Sequence, residues 1–490
     1  MATNIDSREA NSSRRAFRYR MARILSALSA VLLVGGCKAL SPDGALSEIT
    51  SITSAAIPQD VVAIRDEETQ AAVNLRVKKL LKRALSADAA VQLAFLRNAG
   101  LQADLNQLGI AEAAMVSASL PPAPTISVAR LSSSVEVEIE RRIVGNILAL
   151  ATLPARTEIA VDRFKQAKLR TAGRIYSLAT DVRRAYYQAV ASQQISSFLE
   201  EAQSAAQSAN ELMRRLGTTG AVNKLDQARE QVFFAEVTAQ LAIARQKASA
   251  DKEKLIRMLG LWGSELKVSL SSNLPSVPGS ARKLPLIEQD ALLHRVDLQI
   301  ARIELDLLAR SYNLTQASRF VTILELAGIN NTAKEADGAR IRTSGVELEI
   351  QIPIFDLGET RVREAALTYQ QAVNRLQEKA VNVRSEARET YRTYRAAHEI
   401  ALHYQREIVP LRKIISDEML LRYNAMQIDV FELLTEARQR ISANVNAIES
   451  QRNFWIASVS LFSAIVRGSR GVSSPENMSA APAASEAAGH

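Results

Sequence analysis

The sequence predicts a mainly α-helical protein with a small β part, arranged as two copies of one unit. Three observations carry that expectation. Glycine and proline are scarce, 19 and 13 in 490 residues, and are concentrated at 120–124, 217–220, 260–285 and 353–358, with long stretches of helical pattern between. Three short matches recur in one order: Ala94–Gln102 with Ala291–Gln299, Val135–Glu140 with Val346–Gln351, and Leu225–Arg229 with Leu434–Arg438, the mark of an internal duplication. Each copy also alternates apolar residues with glutamates, the period-2 pattern of a strand.

The N-terminal segment comes first. Arginines 8, 14, 15, 18, 20 and 23 precede the apolar run Ile24 to Val34, about half of the ~20 residues a spanning helix needs. This is the layout of a signal peptide over residues 1–37. It ends in Val34-Gly35-Gly36-Cys37, which resembles the lipobox of bacterial lipoproteins. That resemblance implies acylation of Cys37, cleavage before it and, with Lys38 next, delivery to the outer membrane of a Gram-negative cell. Cys37 is the sole cysteine, so no intramolecular disulfide forms. Ser13-Arg14-Arg15-Ala16-Phe17 resembles a twin-arginine signal, but a start at Met21 leaves a compact ordinary signal, and general secretion is the expected route.

Residues 38–85 read as a linker and an initial helix. The first repeat spans 86–260, a Pro/Gly/Ser-rich connector 261–285, and the second repeat 286–466. The tail 467–490 is rich in Ser, Ala and Pro and is expected to be disordered. Within each repeat the expected order is helix, two strands, long helix, turn, long helix. Residues 156–216 contain no proline, which predicts a rod of roughly 90 Å. After the turn Leu216–Gly220, Leu225, Ala228, Val232, Ala235, Ala239 and Ala242 recur at three- and four-residue spacing, and Leu434, Ile441, Ile448 and Trp455 recur every seven. Both read as coiled-coil seams.

In the strands, Val135, Val137, Ile139, Ile143 and Ile147 share one face and Glu136, Glu138 and Glu140 the other. Val346, Leu348, Ile350, Ile352 and Ile354 repeat this against Glu347, Glu349 and Gln351. Their expected partners are 125–131 and 320–327. Four strands are too few to close a membrane barrel, so several chains would have to contribute.

Taken with Leu85-Ser86-Ala87-Asp88-Ala89-Ala90, Leu96-Arg97-Asn98, Ile352-Pro353-Ile354-Phe355-Asp356-Leu357-Gly358 and the tip Leu421-Arg422-Tyr423-Asn424-Ala425, the chain resembles the outer-membrane efflux protein family, the TolC-like exit ducts. Met426 stands where that family usually has glycine. The resemblance implies a homotrimer in which four strands per protomer build a twelve-stranded β-barrel and the helical hairpins an α-barrel. It also implies a periplasmic adaptor and an inner-membrane pump as partners. Gly217, Gly220, Asn223, Asn424 and Asp429 become adaptor-contact candidates, and Asp226, Asp429, Glu432 and Glu436 candidates for an entrance gate. If Glu136, Glu138, Glu140, Glu347 and Glu349 point inward, the lumen favours cations, although Arg130, Arg141 or Arg142 could pair with some of them.

Composition argues against other classes. The net charge of +9 comes without a long basic run or interleaved aromatics, so nucleic acid is not an expected partner. The four histidines, His294, His398, His403 and His490, form no recognisable catalytic or metal motif, and His398 and His403 read as exposed helix positions. Neither an enzyme activity nor a cofactor beyond the lipid on Cys37 is expected. The remaining alternative is a structural coiled-coil lipoprotein without a pore, which leaves the duplicated strand pairs unexplained.

Overall fold

The computed structural model describes residues 40–467 except 134, 135, 336 and 337. The signal peptide, Cys37, Val135 and the tail from residue 468 lie outside the described residues. Contacts divide the chain into units 1–44 and 45–490. The described part of the first is a turn closed by Gly44 N donating to Ser41 O at 3.2 Å. All that follows concerns the second.

Two helices, α1 (Leu46–Ser54) and α2 (Glu67–Leu81), stand where the sequence suggested one. The intervening stretch contains Pro58, and α2 starts afresh from a capping box in which Asp66 accepts from Thr69 N at 2.7 Å. The first repeat opens with α3 (Ala87–Arg97) and α4 (Ala99–Ala118), then β1 (Thr125–Ser132), β2 (Glu136–Asn146), α5 (Ile147–Ala151), α6 (Leu153–Thr218) and α7 (Lys224–Leu259). The second has α8 (Ile287–His294), α9 (Val296–Ala317), β3 (Ile323–Glu335), β4 (Arg340–Gln351), α10 (Glu359–His403), a π turn (Tyr404–Ile408), α11 (Val409–Asn424) and α12 (Val430–Val466). Each copy therefore has two helices before its strands, not one. The pair is split where Asn98 caps α4 by accepting from Leu101 N at 3.0 Å.

The long helix α6 has 66 residues, roughly 99 Å of rod. Its counterpart is divided into segments of 45, 5 and 16 residues, the same total length. The interruption has a local cause: Pro410 has no N–H for the turn before it, and a π turn absorbs the mismatch. From α6 onward a constant shift of 206 relates the copies, Leu153 to Glu359, Gly220 to Met426 and Asn223 to Asp429. The Leu225/Leu434 match implies a shift of 209, so in the structure the N-caps set the equivalence three residues away from that match.

The main core gathers α3, the middle of α6 and the end of α7. Phe95, Leu93 and Leu96 from α3 meet Ile175 and Val182 from α6 and Leu255 and Leu259 from α7, all essentially inaccessible. Asn98 Nδ2 donates to Met258 O at 2.9 Å, and Leu85 N to Ser269 O at 2.9 Å, tying the start of the repeat to its end. Gly260 (φ 72°) ends α7 where a Cβ would lie 2.6 Å from the Arg97 carbonyl oxygen. Only glycine fits there without displacing backbone. In the second copy Arg295, 3% exposed, holds Asp297 at 2.7 Å and Glu386 at 2.6 Å.

The predicted seam of α7 is not the one that packs within the chain. Leu225 and Val232 are 60% and 52% exposed, whereas Phe233, Val237, Leu241 and Ala244 are buried. This helix carries two apolar stripes, and the chain uses the second on itself. In α12 the predicted seam does face inward, with Leu434 and Ile448 buried.

The four strands form one antiparallel sheet in the order β1-β2-β3-β4, leaving β1 and β4 as edges. β3 and β4 extend further toward their hairpin than the apolar alternation suggested, through Asn330, Thr332, Arg340 and Arg342. Ile147 belongs to α5, and Ile352 and Ile354 lie beyond β4. Pro353 ends the strand pattern there. Leu357 and Gly358 follow at positive φ, 50° and 74°, and a Cβ on Gly358 would lie 2.2 Å from the Arg319 carbonyl oxygen.

Candidate functional site

Side chains alternate across a sheet, so register alone assigns faces. Glu138 pairs with Ala333, Glu140 with Asn331, Ala327 with Glu347 and Glu325 with Glu349. Glu136, Glu138, Glu140, Glu347 and Glu349 therefore share one face. Glu325 joins them, a residue the sequence reading passed over although Leu324-Glu325-Leu326 shows the same alternation. On this face Arg142 forms an ion pair with Glu347 at 3.2 Å, Asn331 Nδ2 donates to Glu138 at 3.0 Å, and Asn146 Nδ2 donates to Glu325 at 3.4 Å. Of the three arginines weighed as partners, Arg130 and Arg141 fall on the opposite face.

That opposite face is apolar toward the helices. Ile126, Ile143, Leu326, Val346, Leu348 and Ile350 are 44–78% exposed, a band of unburied aliphatic surface of a kind that marks an interaction site.

The second candidate region is the pair of helix-turn-helix tips. At the first, Gly220 takes φ 76°, and Ala221 N donates to Leu216 O at 3.0 Å. Gly217 lies against Gln227, and Asn223 caps α7, accepting from Asp226 N at 2.9 Å. At the second tip Met426 occupies the Gly220 position with φ 58° and 94% exposure. Its turn thus keeps the glycine geometry without the glycine. Asn424 ends α11, and Asp429 caps α12 by accepting from Glu432 N at 2.9 Å.

The gate candidates differ in setting. Asp226 pairs with Arg229 at 3.3 Å, Asp429 is held by its capping role, and Glu432 is exposed. Glu436, 5% exposed, binds Arg412 at 3.0 Å within the chain. By the shift of 206 its counterpart is Glu230, 1% exposed. Burial pushes the Glu230 carboxyl up from the ordinary value, opposed by the Arg438 charge. Each of the two has one carboxylate oxygen without a hydrogen-bond partner among the described residues.

His398 corrects an expectation: it is 4% exposed, its Nε2 lies 2.7 Å from the Pro278 carbonyl oxygen, and its ring meets Phe454 edge-on at 5.5 Å. It is a packed core histidine that anchors the connector. Among the described residues no cluster of three or more His, Cys, Asp or Glu could hold a metal ion, and no helix is long and apolar enough to cross a membrane.

No family model and no curated protein matches the chain. Solved structures do. The chain is similar to CusC, described in terms of transmembrane channel formation, at TM-score 0.65 and 16% identity, covering 80% of this chain and 92% of that one. The CmeC outer membrane channel of Campylobacter jejuni matches at 0.60 and 15%, covering 84% and 90%. The open-state MtrE outer membrane channel of Neisseria gonorrhoeae matches at 0.64 and 15%, covering 80% and 89%. At these identities the likeness establishes the fold alone, long helices with a four-stranded sheet.

Proposed function

We propose that this chain is one protomer of a homotrimeric outer-membrane exit duct of a tripartite efflux pump or type I secretion system. The observation that carries the reading is the sheet: four strands, two open edges, an exposed aliphatic face and a glutamate-lined face, attached to rods of roughly 99 Å. Lipid cannot satisfy the edge groups of β1 and β4. Pairing β4 of one copy with β1 of the next removes those edges, and three copies give twelve strands with the apolar face outward and the glutamates inward. The exposed stripe of Leu225, Val232 and Ile243 then finds its partner on a neighbouring copy, and the helices enclose the periplasmic passage.

On this reading the protein is passive and performs no bond chemistry. A periplasmic adaptor meets the tips around Gly217, Gly220, Asn223, Asn424 and Asp429, and an inner-membrane pump supplies the energy. Asp226, Asp429 and Glu432 line the approach to the entrance, and lipid on Cys37 anchors the mature chain in the outer membrane. The fold of CusC, CmeC and MtrE, each described as a channel, supports the assignment.

The test is native mass and bilayer conductance of the detergent-extracted mature protein. A lipidated trimer that conducts, with cation preference reduced when Glu136, Glu138, Glu140, Glu347 and Glu349 become glutamine, is the expected result. A monomer under conditions that preserve assembly, or an anion-selective pore, would overturn the corresponding part.

A further inference from the structure

The apolar face of the sheet changes character toward the hairpin ends. Register places Arg130 opposite Ile139, Val128 opposite Arg141, Thr332 opposite Arg342 and Lys334 opposite Arg340. Five cations, Arg130, Arg141, Lys334, Arg340 and Arg342, thus fall on the three rows nearest the hairpins. All five are exposed, and by register these rows contain no carboxylate. The next rows, toward the helices, are aliphatic, from Ile126, Ile143 and Val346 through Leu348 to Ile350, and with Ile352 continue for roughly 20 Å along the strand.

This arrangement is costly for the protomer. Lys334 and Arg340 are direct cross-strand partners and Arg130 is the diagonal neighbour of Arg141, like charges that repel at such spacings. No ion pair with a described residue engages any of the five. Among the described residues Arg141 is hydrogen-bonded to neutral groups, Asn330 at 3.5 Å and Thr332 at 3.4 Å. The interleaved rows on the opposite face carry Glu136, Glu138 and Glu140, so these five cations and those carboxylates lie on opposite faces when they could have neutralised one another.

We propose that these three rows bind the phosphate groups of an anionic lipid in the outward leaflet, with its acyl chains on the aliphatic rows beneath. The proposal rests on the channel reading, in which the face is turned to lipid and the hairpins, remote from the helices, lie at the outer surface. Guanidinium groups match phosphate oxygens in bidentate geometry, and the sequence of rows, cationic then aliphatic, reproduces the order of headgroup and chains. The lipid phosphates supply the counter-charge that the described residues of these rows lack.

The test uses the full-length assembled protein in detergent, bisphosphorylated lipid A as the probe, and native mass spectrometry as the readout, with conductance recorded on the same preparation. Wild type is expected to retain the probe, to bind its dephosphorylated form at least about ten-fold more weakly, and to keep the probe in the presence of equimolar inorganic phosphate. The triple variant Arg130→Gln, Arg340→Gln, Arg342→Gln is expected to lose about ten-fold in binding while remaining a conducting trimer. The corresponding lysine variant, which keeps the charge but loses the bidentate fork, should bind between wild type and the glutamine variant. Equal binding of both lipid forms, unchanged binding by the glutamine variant, or displacement by inorganic phosphate would overturn the proposal and leave the duct intact. A non-conducting monomer would overturn both.

Discussion

Replacing Arg295 by methionine probes how the second repeat is held together. The guanidinium donates from Nε and one terminal nitrogen to Asp297 at 3.0 and 2.7 Å and from the other to Glu386 at 2.6 Å, joining the start of α9 to α10. Burial by itself disfavours the charged guanidinium, but the hydrogen bonds and charges of Asp297 and Glu386 outweigh it and raise its pKa. Methionine fills much of the volume yet leaves two carboxylates without their cation. Their side chains remain 32% and 28% exposed, so water recovers part of the loss, and the expected cost is about 3 kcal/mol, the lower end for a broken buried pair. Unfolding of a chain this large is best followed as a rate at fixed denaturant, where that cost appears as an acceleration of up to roughly 100-fold. The decisive comparison is the triple variant Arg295→Met, Asp297→Asn, Glu386→Gln, which removes the stranded charges and is expected to recover most of the stability. If the single variant unfolds no faster than wild type, or the triple variant faster than the single, the ion triad is not what secures this junction.

Met426→Gly should stabilise the second tip by about 1 kcal/mol, because only the left-handed backbone penalty is removed and the side chain is almost wholly exposed; limited proteolysis at the tip should slow. Gly358→Ala places a Cβ against the Arg319 carbonyl and is expected to cost at least about 2 kcal/mol, read as a lower thermal unfolding midpoint. Glu230→Gln should change the pH dependence of the tip. The folded-state carboxyl is raised above its ordinary value of 4.5, so its contribution to stability is fully present below that value and is lost as pH rises through the raised one. Hydrogen exchange of α7 amides, corrected for intrinsic rates, should therefore show wild-type protection falling from mild acid to neutral pH, and the glutamine variant should lack that component.

Much of the architecture was legible because it depends on absences. Without proline or a disruptive glycine, 156–216 had little alternative to a continuous helix, and two glutamate-alternating segments had to be strands. What escaped was what needs a neighbour to decide. The sequence of α7 contains two helical stripes, and spacing does not say which one the chain packs on itself. His398 looks solvent-facing until α10 is placed against Phe454 and the connector. Pro410 is visible in the sequence, but its effect, a π turn and not a helix end, depends on packing that holds α10 and α11 in line. The hairpin ends of β3 and β4 were missed because their alternation is between polar types, with arginine and lysine on one side.

The sorting of charge between the two faces of the sheet also bears on how the sheet is assembled. A slip of one residue in pairing turns every side chain of a strand to the other face. For β2 or β4 such a slip would put glutamates among the aliphatic rows and break the pairing of Arg142 with Glu347. A two-residue slip keeps the faces but misaligns the cation rows with the aliphatic rows of the next strand. Mispaired sheets therefore lose the separation of charged from aliphatic rows, and the charges act as proofreading for strand register.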